Sequence, residues 1–511
     1  MSFPESDVEL VRQDVWTLLP AQGDPKYPWD TITEAYAQAV GIMQARERED
    51  PTSWVFQAAI HGTYATAPPD ARWNQCQHAS WFFLPWHRMY VYYFELIARA
   101  ALKQINSPVA ESFALPYWNY DPQDRRLPED QEQRRLPLPF REPTLPDGSP
   151  NPLYLPSPRR DQSIAEGWGL GPELTSSTAA MERLNFSASS GQGLTSFGGG
   201  SERPAQFANR NSTGQLEQQP HNVIHVAIGG RREGQCQAGL MGDVRCAALD
   251  PIFWLHHANI DRLWNRWLAL GGGRANPTEP AWLTQRFTLY DEKGDPAPLT
   301  CAEVVDSAAQ LGYRYDDDEV LRPPELQPEP VAASVSGISA DTPESSGPPE
   351  LAAATEQPID LVGAAASVKL TTPPSTRSLI AADNIAAGAR AIYLNVEDIE
   401  AEQNPGIVYG VYVDGHHVGN IALFGIELMN DPDQAHSGPP GFRHTFDITS
   451  VAAALSADGR WDPDAITVTF EPFTLIPPPG QEDRLGAVAA EVAERGAATP
   501  VRVGRVSLFV A

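Results

Sequence analysis

A change of hydrophobic period across residues 323–378 constrains this chain more than any other feature. Before it, TSWVFQAAIHGT (52–63), HRMYVYYFELIARAALKQI (87–105) and DPIFWLHHANIDRLWNRWLAL (250–270) space their apolar residues by three and four, as helices with one buried face do. After it, IVYGVYV (407–413), VGNIALFGI (418–426), ITVTF (466–470) and RVSLFV (505–510) alternate or run apolar, and Asp414-Gly415 is a hairpin-turn signal. Helical stripes and two-residue alternation bury different faces, so two separate cores are expected. The segment 323–378 is rich in Pro, Ala, Ser and Glu and nearly free of aromatics, which marks a flexible linker. The expected organisation is a mainly α domain over 1–322, the linker, and an all-β sandwich over 379–511. Residues 121–216, dominated by Pro, Arg, Gly and Ser, read as long loops draped on the helical core.

Charge and cysteine content narrow the function. With 37 Lys+Arg against 65 Asp+Glu, the net charge is −28, which repels phosphate backbones and anionic lipid. Nucleic acid and membrane are therefore excluded as first partners. No apolar run reaches membrane-spanning length, and MSFPESDVELVRQDVW lacks the basic and apolar regions of a signal peptide, so a cytoplasmic location is expected. Four cysteines are too few for a disulfide framework and suit a reducing compartment. No role follows from sequence for Cys236, Cys246 or Cys301.

Seven of the eleven histidines lie in the first part: His61, His78, His87, His221, His225, His256 and His257. In HNVIH, His221 and His225 stand four apart, which on a helix sets both imidazoles on one face. His78 and His87 bracket ASWFFLPW, and His61 lies on the preceding helical stretch. An all-imidazole set without carboxylate or thiolate suits copper, zinc, iron or nickel, and two groups of three point to a binuclear centre. His416, His417, His436 and His444 match no metal grip and are expected to be solvent-exposed.

HASWFFLPWHRMYVYYFE (78–95) and DPIFWLHHANID (250–261) resemble the two copper signatures of tyrosinases, polyphenol oxidases and molluscan-type haemocyanins. ALPYWNYD (114–121) and the Tyr-x-Tyr element in LGYRYDD (311–317) are similar to further family segments. The resemblance implies a four-helix-bundle core holding two copper ions, one on His61, His78 and His87 and the other on His221, His225 and His257. His256 should point about 100° away from its neighbour. It further implies a thioether between Cys76 and His78, and a water held by Glu217 and Asn222 that takes a phenol proton.

The implied activity is that of a tyrosinase, which uses O2 to hydroxylate monophenols at the ortho carbon and to oxidise o-diphenols to o-quinones. A catechol or o-aminophenol oxidase and a haemocyanin-like O2 carrier are the alternatives. Small Val244, Arg245 and Val226 are expected at the substrate entrance, Arg245 as a solvated loop arginine, with attraction of carboxylated phenols as the alternative. The sandwich is expected to cover the copper site and keep the enzyme latent, with MNDPDQAHSGPPGF (429–442) as the region of the plug.

Overall fold

A computed structural model describes residues 10–20, 24, 27–121, 133–190, 196–230, 234–318, 350–386, 390–431 and 441–510. Five helices organise the first domain: α1 (Thr31–Gln44), α2 (Trp54–His61), α3 (Phe83–Gln104), α4 (Val223–Ile228) and α5 (Ile252–Ala269). Each starts or stops for a local reason. The Asp30 carboxylate caps α1 by accepting from the Ile32 and Thr33 amides, and Ser53 Oγ caps α2 through the Phe56 amide. Helix α2 ends at Gly62, where a Cβ would lie 2.5 Å from the Val244 carbonyl oxygen, so only glycine lets the two segments approach. Trp54, Phe94 and Trp254 from α2, α3 and α5 pack together, with Phe94 stacked on Trp254 at 3.5 Å.

A buried ionic network locks the base of α5. Asp261 accepts from Arg12 (3.3 Å), Arg88, Tyr313 (2.6 Å) and Tyr315 (2.6 Å), and Arg12 also reaches Glu95 at 2.9 Å. The two arginines hold the Asp261 carboxyl below its usual range against the cost of burial. Tyr313 and Tyr315 arrive on a short strand that pairs in parallel with Leu10–Arg12, so both ends of the helical domain meet one turn below His257.

The second domain is a pair of antiparallel sheets. One runs Phe442–Asp447, Ile392–Glu400, Val501–Val510, Glu350–Ala354, with Ile359–Leu361 also on Val501–Val510. The other runs His416–Ile421, Tyr409–Val413, Thr467–Pro472, Ala366–Lys369. Buried Leu394 opposite Leu508 and Val396 opposite Val506 give the alternation its inner face. Asp414 and Gly415 both take positive φ, as the expected hairpin turn requires. Beyond the period-two pattern, the domain also carries helices Thr449–Ala457 and Leu485–Ala498.

Three expectations need correction. The linker was placed at 323–378, but residues 350–354, 359–361 and 366–369 are strands of the two sheets. Their small apolar side chains, such as Ala352, Ala353 and Leu361, find partners only within the sandwich. The part of that segment before 350 lies outside the described residues. The run 418–426 is a strand only to Ile421, after which the chain leaves the sheet. Finally, Cys236 and Cys246 form a disulfide with Cα atoms 6.0 Å apart, whereas reduced thiols were expected.

Candidate metal centre

The six expected donors converge from four segments. His61 ends α2, His87 sits one turn into α3, His225 lies in α4 and His257 in α5, while His78 occupies the loop before α3 and His221 the irregular turn Glu217–Asn222 before α4. His61, His78 and His87 have ring centroids 5.2–5.6 Å apart. His221, His225 and His257 are 4.5–5.5 Å apart. The two trios meet where His87 stacks on His257 at 4.4 Å.

Hydrogen bonds fix which nitrogen of each ring is free. Nδ1 of His61, His78, His87 and His225 donates to the carbonyls of Val244 (2.9 Å), Gln206 (3.2 Å), Phe83 (2.8 Å) and Met241 (2.8 Å). His221 Nδ1 donates to Asn222 Oδ1 at 2.9 Å. The Nε2 atoms of His61, His78, His87 and His221 are buried without a partner, and His225 Nε2 faces His257 Nε2 at 3.4 Å. Burial first and neighbouring imidazoles second hold His61, His87, His221, His225 and His257 well below the ordinary 6.5, while burial brings His78 down to about 3. Five neutral rings are thus tied back by Nδ1, while His257 has no partner at Nδ1 and turns Nε2 toward His225; neutral rings with inward lone pairs are what imidazole ligation of a metal requires.

His256 departs from expectation. Its ring lies 4.9 Å from His225 and 5.3 Å from His221, its Nδ1 meets the Tyr120 hydroxyl at 3.1 Å, and its Nε2 has no partner. His221, His225, His256 and His257 thus bring four donor atoms within 4.8 Å of one another. The 100° turn along α5 still falls inside the cluster because α4 and the turn before it wrap around that side.

Cys76 is buried and free, and a nitrogen of His61, one of His78 and the Cys76 sulfur lie within 4.8 Å of one another. Glu217 is buried, and extended backbone at Gln219 breaks the helical turn so that its Oε1 accepts from the Ala79 amide at 2.7 Å, beside His78. Burial raises the Glu217 carboxyl to about 8 against the amide hydrogen bonds of Ala79 and Gly214, and Oε2 has no partner.

The expected entrance is closed. Val244 and Val226 are buried, so neither borders an open mouth. Arg245 pairs with Asp431 of the β domain instead of facing free solvent. The cover is Phe424, which sequence reasoning missed. It is fully buried and stacks on His225 with centroids 4.1 Å apart, 5.6 Å from His221 and 5.8 Å from His78. The plug was sought at 429–442, of which 432–440 lie outside the described residues; Phe424 lies upstream, where the chain leaves the strand after Ile421. Gly425 follows at φ +89°, with Phe207 2.5 Å from where its Cβ would be, so the turn that presents Phe424 needs glycine. Polar contacts seat the cover. Asn420 Nδ2 donates to the Glu173 carbonyl and Gln219 Oε1, both at 2.8 Å, and Gly169 and Ile476 exchange backbone hydrogen bonds at 2.7 and 2.8 Å.

Comparison with known proteins agrees with this geometry. Residues 51–270 match the common central domain of tyrosinase, 276–323 the polyphenol oxidase middle domain, and 348–511 a domain of unknown function. A tyrosinase of Hahella sp. (strain CCB-MM4) is 32% identical over 483 residues, 87% of this chain and 93% of its own length. The chain belongs to the tyrosinase family. A latent-form chloroplastic polyphenol oxidase of Prunus armeniaca is 32% identical over 56% of this chain, which spans 47% of that relative's length. Latent aurone synthase, a polyphenol oxidase, shares the fold over 100% of this chain and 91% of its own, at 21% identity and a TM-score of 0.58. Latent apple tyrosinase does so over 100% and 99%, at 21% and 0.56. This tyrosinase-family chain thus has a helical catalytic core followed by a β-rich domain, and the family implies a dicopper centre and phenolic substrates. Among the described residues no helix is long and apolar enough to cross a membrane.

Proposed function

We propose that this chain ortho-hydroxylates monophenols and oxidises o-diphenols to o-quinones with O2, and that it is latent while Phe424 lies on the histidine cluster. The observation that carries this reading is the set of buried, neutral imidazoles whose inner nitrogens converge, those of His61, His78, His87 and His221 without a partner and those of His225 and His257 facing each other. His61, His78 and His87 would hold one copper, and His221, His225 and His257 the other. Bound copper would supply the redox chemistry by which O2 oxidises a phenol.

The chain's own residues do the rest. Backbone carbonyls hold four of the rings by Nδ1, so each presents Nε2 without rearrangement. A thioether between Cys76 and His78 would fix the one ligand that sits in a loop; the short reach between sulfur and ring supports it, and a tryptic peptide joining the two with a loss of two hydrogens tests it. A phenol, with a pKa near 10, must give up its proton before it can act as a ligand. Glu217 and Asn222 would hold the water that accepts it, the unpartnered Glu217 Oε2 being the acceptor that supports this role. Phe424 presents an aromatic ring of phenol size on His225 and so excludes both substrate and water.

A catechol oxidase without hydroxylase activity is the second reading. One observation favours it: Asn222 Oδ1 is engaged by His221 Nδ1 and Glu217 Oε1 by Ala79. The deciding experiment loads the full chain and a chain lacking residues 350–511 with copper and measures O2 uptake with tyramine and with 4-methylcatechol. Turnover of both substrates, higher without the β domain, is expected. Diphenol turnover alone would select the second reading, and none in either form would refute both.

A further inference from the structure

The segment closed by the Cys236–Cys246 disulfide touches both proposed metal sites and the cover. Its Val244 carbonyl accepts from His61 Nδ1 at 2.9 Å, and its Met241 carbonyl accepts from His225 Nδ1 at 2.8 Å. One ligand of each trio is therefore aimed by the same few residues. Between these carbonyls, the Gly242 oxygen accepts from Asn404 Nδ2 of the β domain at 2.9 Å.

Little secondary structure holds this segment in shape. Its internal backbone hydrogen bonds are single turns, from Gly239 N to Cys236 O, Asp243 N to Leu240 O and Cys246 N to Asp243 O, with the Asp243 carboxylate also accepting from the Arg245 amide at 2.9 Å. Met241 and Val244 belong to the main core, whereas Cys236, Leu240, Cys246 and Leu155 form a small apolar cluster of their own. A satellite cluster of four side chains is a weak anchor beside the main core. From outside, the segment is held by hydrogen bonds such as Leu240 N to the Arg159 carbonyl (2.8 Å) and the Tyr64 hydroxyl to Asp243 (2.7 Å), and the disulfide ties its two ends to each other directly.

We propose that the Cys236–Cys246 disulfide is a positioning element of the metal centre, holding the two carbonyls that fix the tautomer and direction of His61 and His225. This rests on the reading of those histidines as ligands. With the bond absent, both carbonyls are free to drift, Nδ1 loses its acceptor, and one ring in each trio loses its fixed direction. Loss of such outer partners typically weakens metal binding by about 10–100-fold. Because one segment serves both trios, both sites should weaken together.

The test uses the metal-free full chain titrated with cobalt(II), whose visible ligand-field bands report ring geometry and whose binding curve gives an affinity for each site. Wild type is compared with Cys236→Ser/Cys246→Ser and with Leu394→Ala, which destabilises the chain from the distant sheet core. Wild-type chain reduced with a water-soluble phosphine, then freed of it, serves if the double variant does not fold. The S–S bond there becomes two thiols, with hydrogens from water, and the phosphine becomes its oxide.

Two cobalt ions per wild-type chain are expected. The disulfide-free chain should show altered bands and about 10–100-fold weaker binding at both sites, and Leu394→Ala should show wild-type bands. Wild-type bands and affinity in the disulfide-free chain would overturn the proposal alone. No cobalt uptake by wild type would overturn the metal reading and this proposal with it.

Discussion

The helical domain and the β domain both bury histidine, yet only one of them builds a donor set. In the helical domain seven rings are buried together, six of them with a nitrogen that has no partner, and His225 Nε2 faces His257 Nε2 at 3.4 Å. In the β domain, His416 and His417 are half-buried and meet the Asp414 carbonyl and Asn420. His444, expected at the surface, is buried between Phe442 and Phe446, and burial takes it to about 3. His436 lies outside the described residues. His444 Nδ1 also lacks a partner, but His444 belongs to no group of three converging donors among the described residues. Convergence of tied-back rings, and not burial, distinguishes a ligand from a packed histidine. The β domain contributes an aromatic cover where the helical domain contributes chemistry.

The largest test of that contrast replaces a histidine on each side. His87→Ala should lower copper content and reduce turnover of either substrate by more than about 100-fold, since a ligand matters more than the outer partners worth 10–100-fold. His444→Ala should leave both unchanged; equal losses would erase the distinction. Next in size, Glu217→Gln, which keeps an oxygen for the Ala79 amide, should cut tyramine turnover by about 100-fold, the lower end for an acid–base group, while 4-methylcatechol turnover holds. Similar losses on both substrates would remove the water-holding role.

Smaller effects probe the cover. Burying a Phe side chain contributes about 1.5–3 kcal/mol, so Phe424→Ala should raise the turnover of the full chain by about tenfold or more. The turnover it reaches should approach that of the chain without its β domain. The smallest expected effect is a pH slope. Glu427, in the short helix Ile426–Met429 just after the plug, is half-buried, with its Oε2 atom buried and without a partner. Asp243 accepts from the Tyr64 hydroxyl at 2.7 Å, and Arg245 lies beside it, paired with Asp431. Burial first and Asp243 second raise Glu427 well above the ordinary carboxyl value; burial raises Asp243 too. A carboxyl whose pKa is raised in the docked form stabilises docking below its free value and loses that contribution as pH rises through the docked value. The cover should therefore loosen, and turnover rise a few-fold, as pH climbs above the ordinary carboxylate range. Glu427→Gln should flatten that rise, measured as the activity ratio of the full chain to the chain without its β domain.

Much of the helical domain was legible because its signals are local. The spacing of apolar residues marked α2, α3 and α5 to within a few residues at each end, and all the clustered histidines but His221 and His225 lie on or next to those elements. Residues 350–378 were misread because a composition poor in aromatics resembles a linker, whereas short strands of Ala, Leu and Val are stable once neighbours pair with them. Phe424 was hidden in VGNIALFGI, where alternation implied a continuing strand. The glycine at 425 was the one local sign that the chain turns there, and no local sign says what the turn faces.

Sequence alone determined the two periods, the identities of the histidines and the glycines that permit close approach, because each depends on residues near one another in the chain. Tertiary structure decided which ring nitrogen is free, that His256 joins the cluster, that Cys236 meets Cys246 in one turn-rich segment, and that an aromatic ring from the second domain closes the first. Those outcomes depend on contacts between distant segments, Phe424 reaching back as far as His78, where the partner's direction is set by packing and leaves no periodic mark in the sequence.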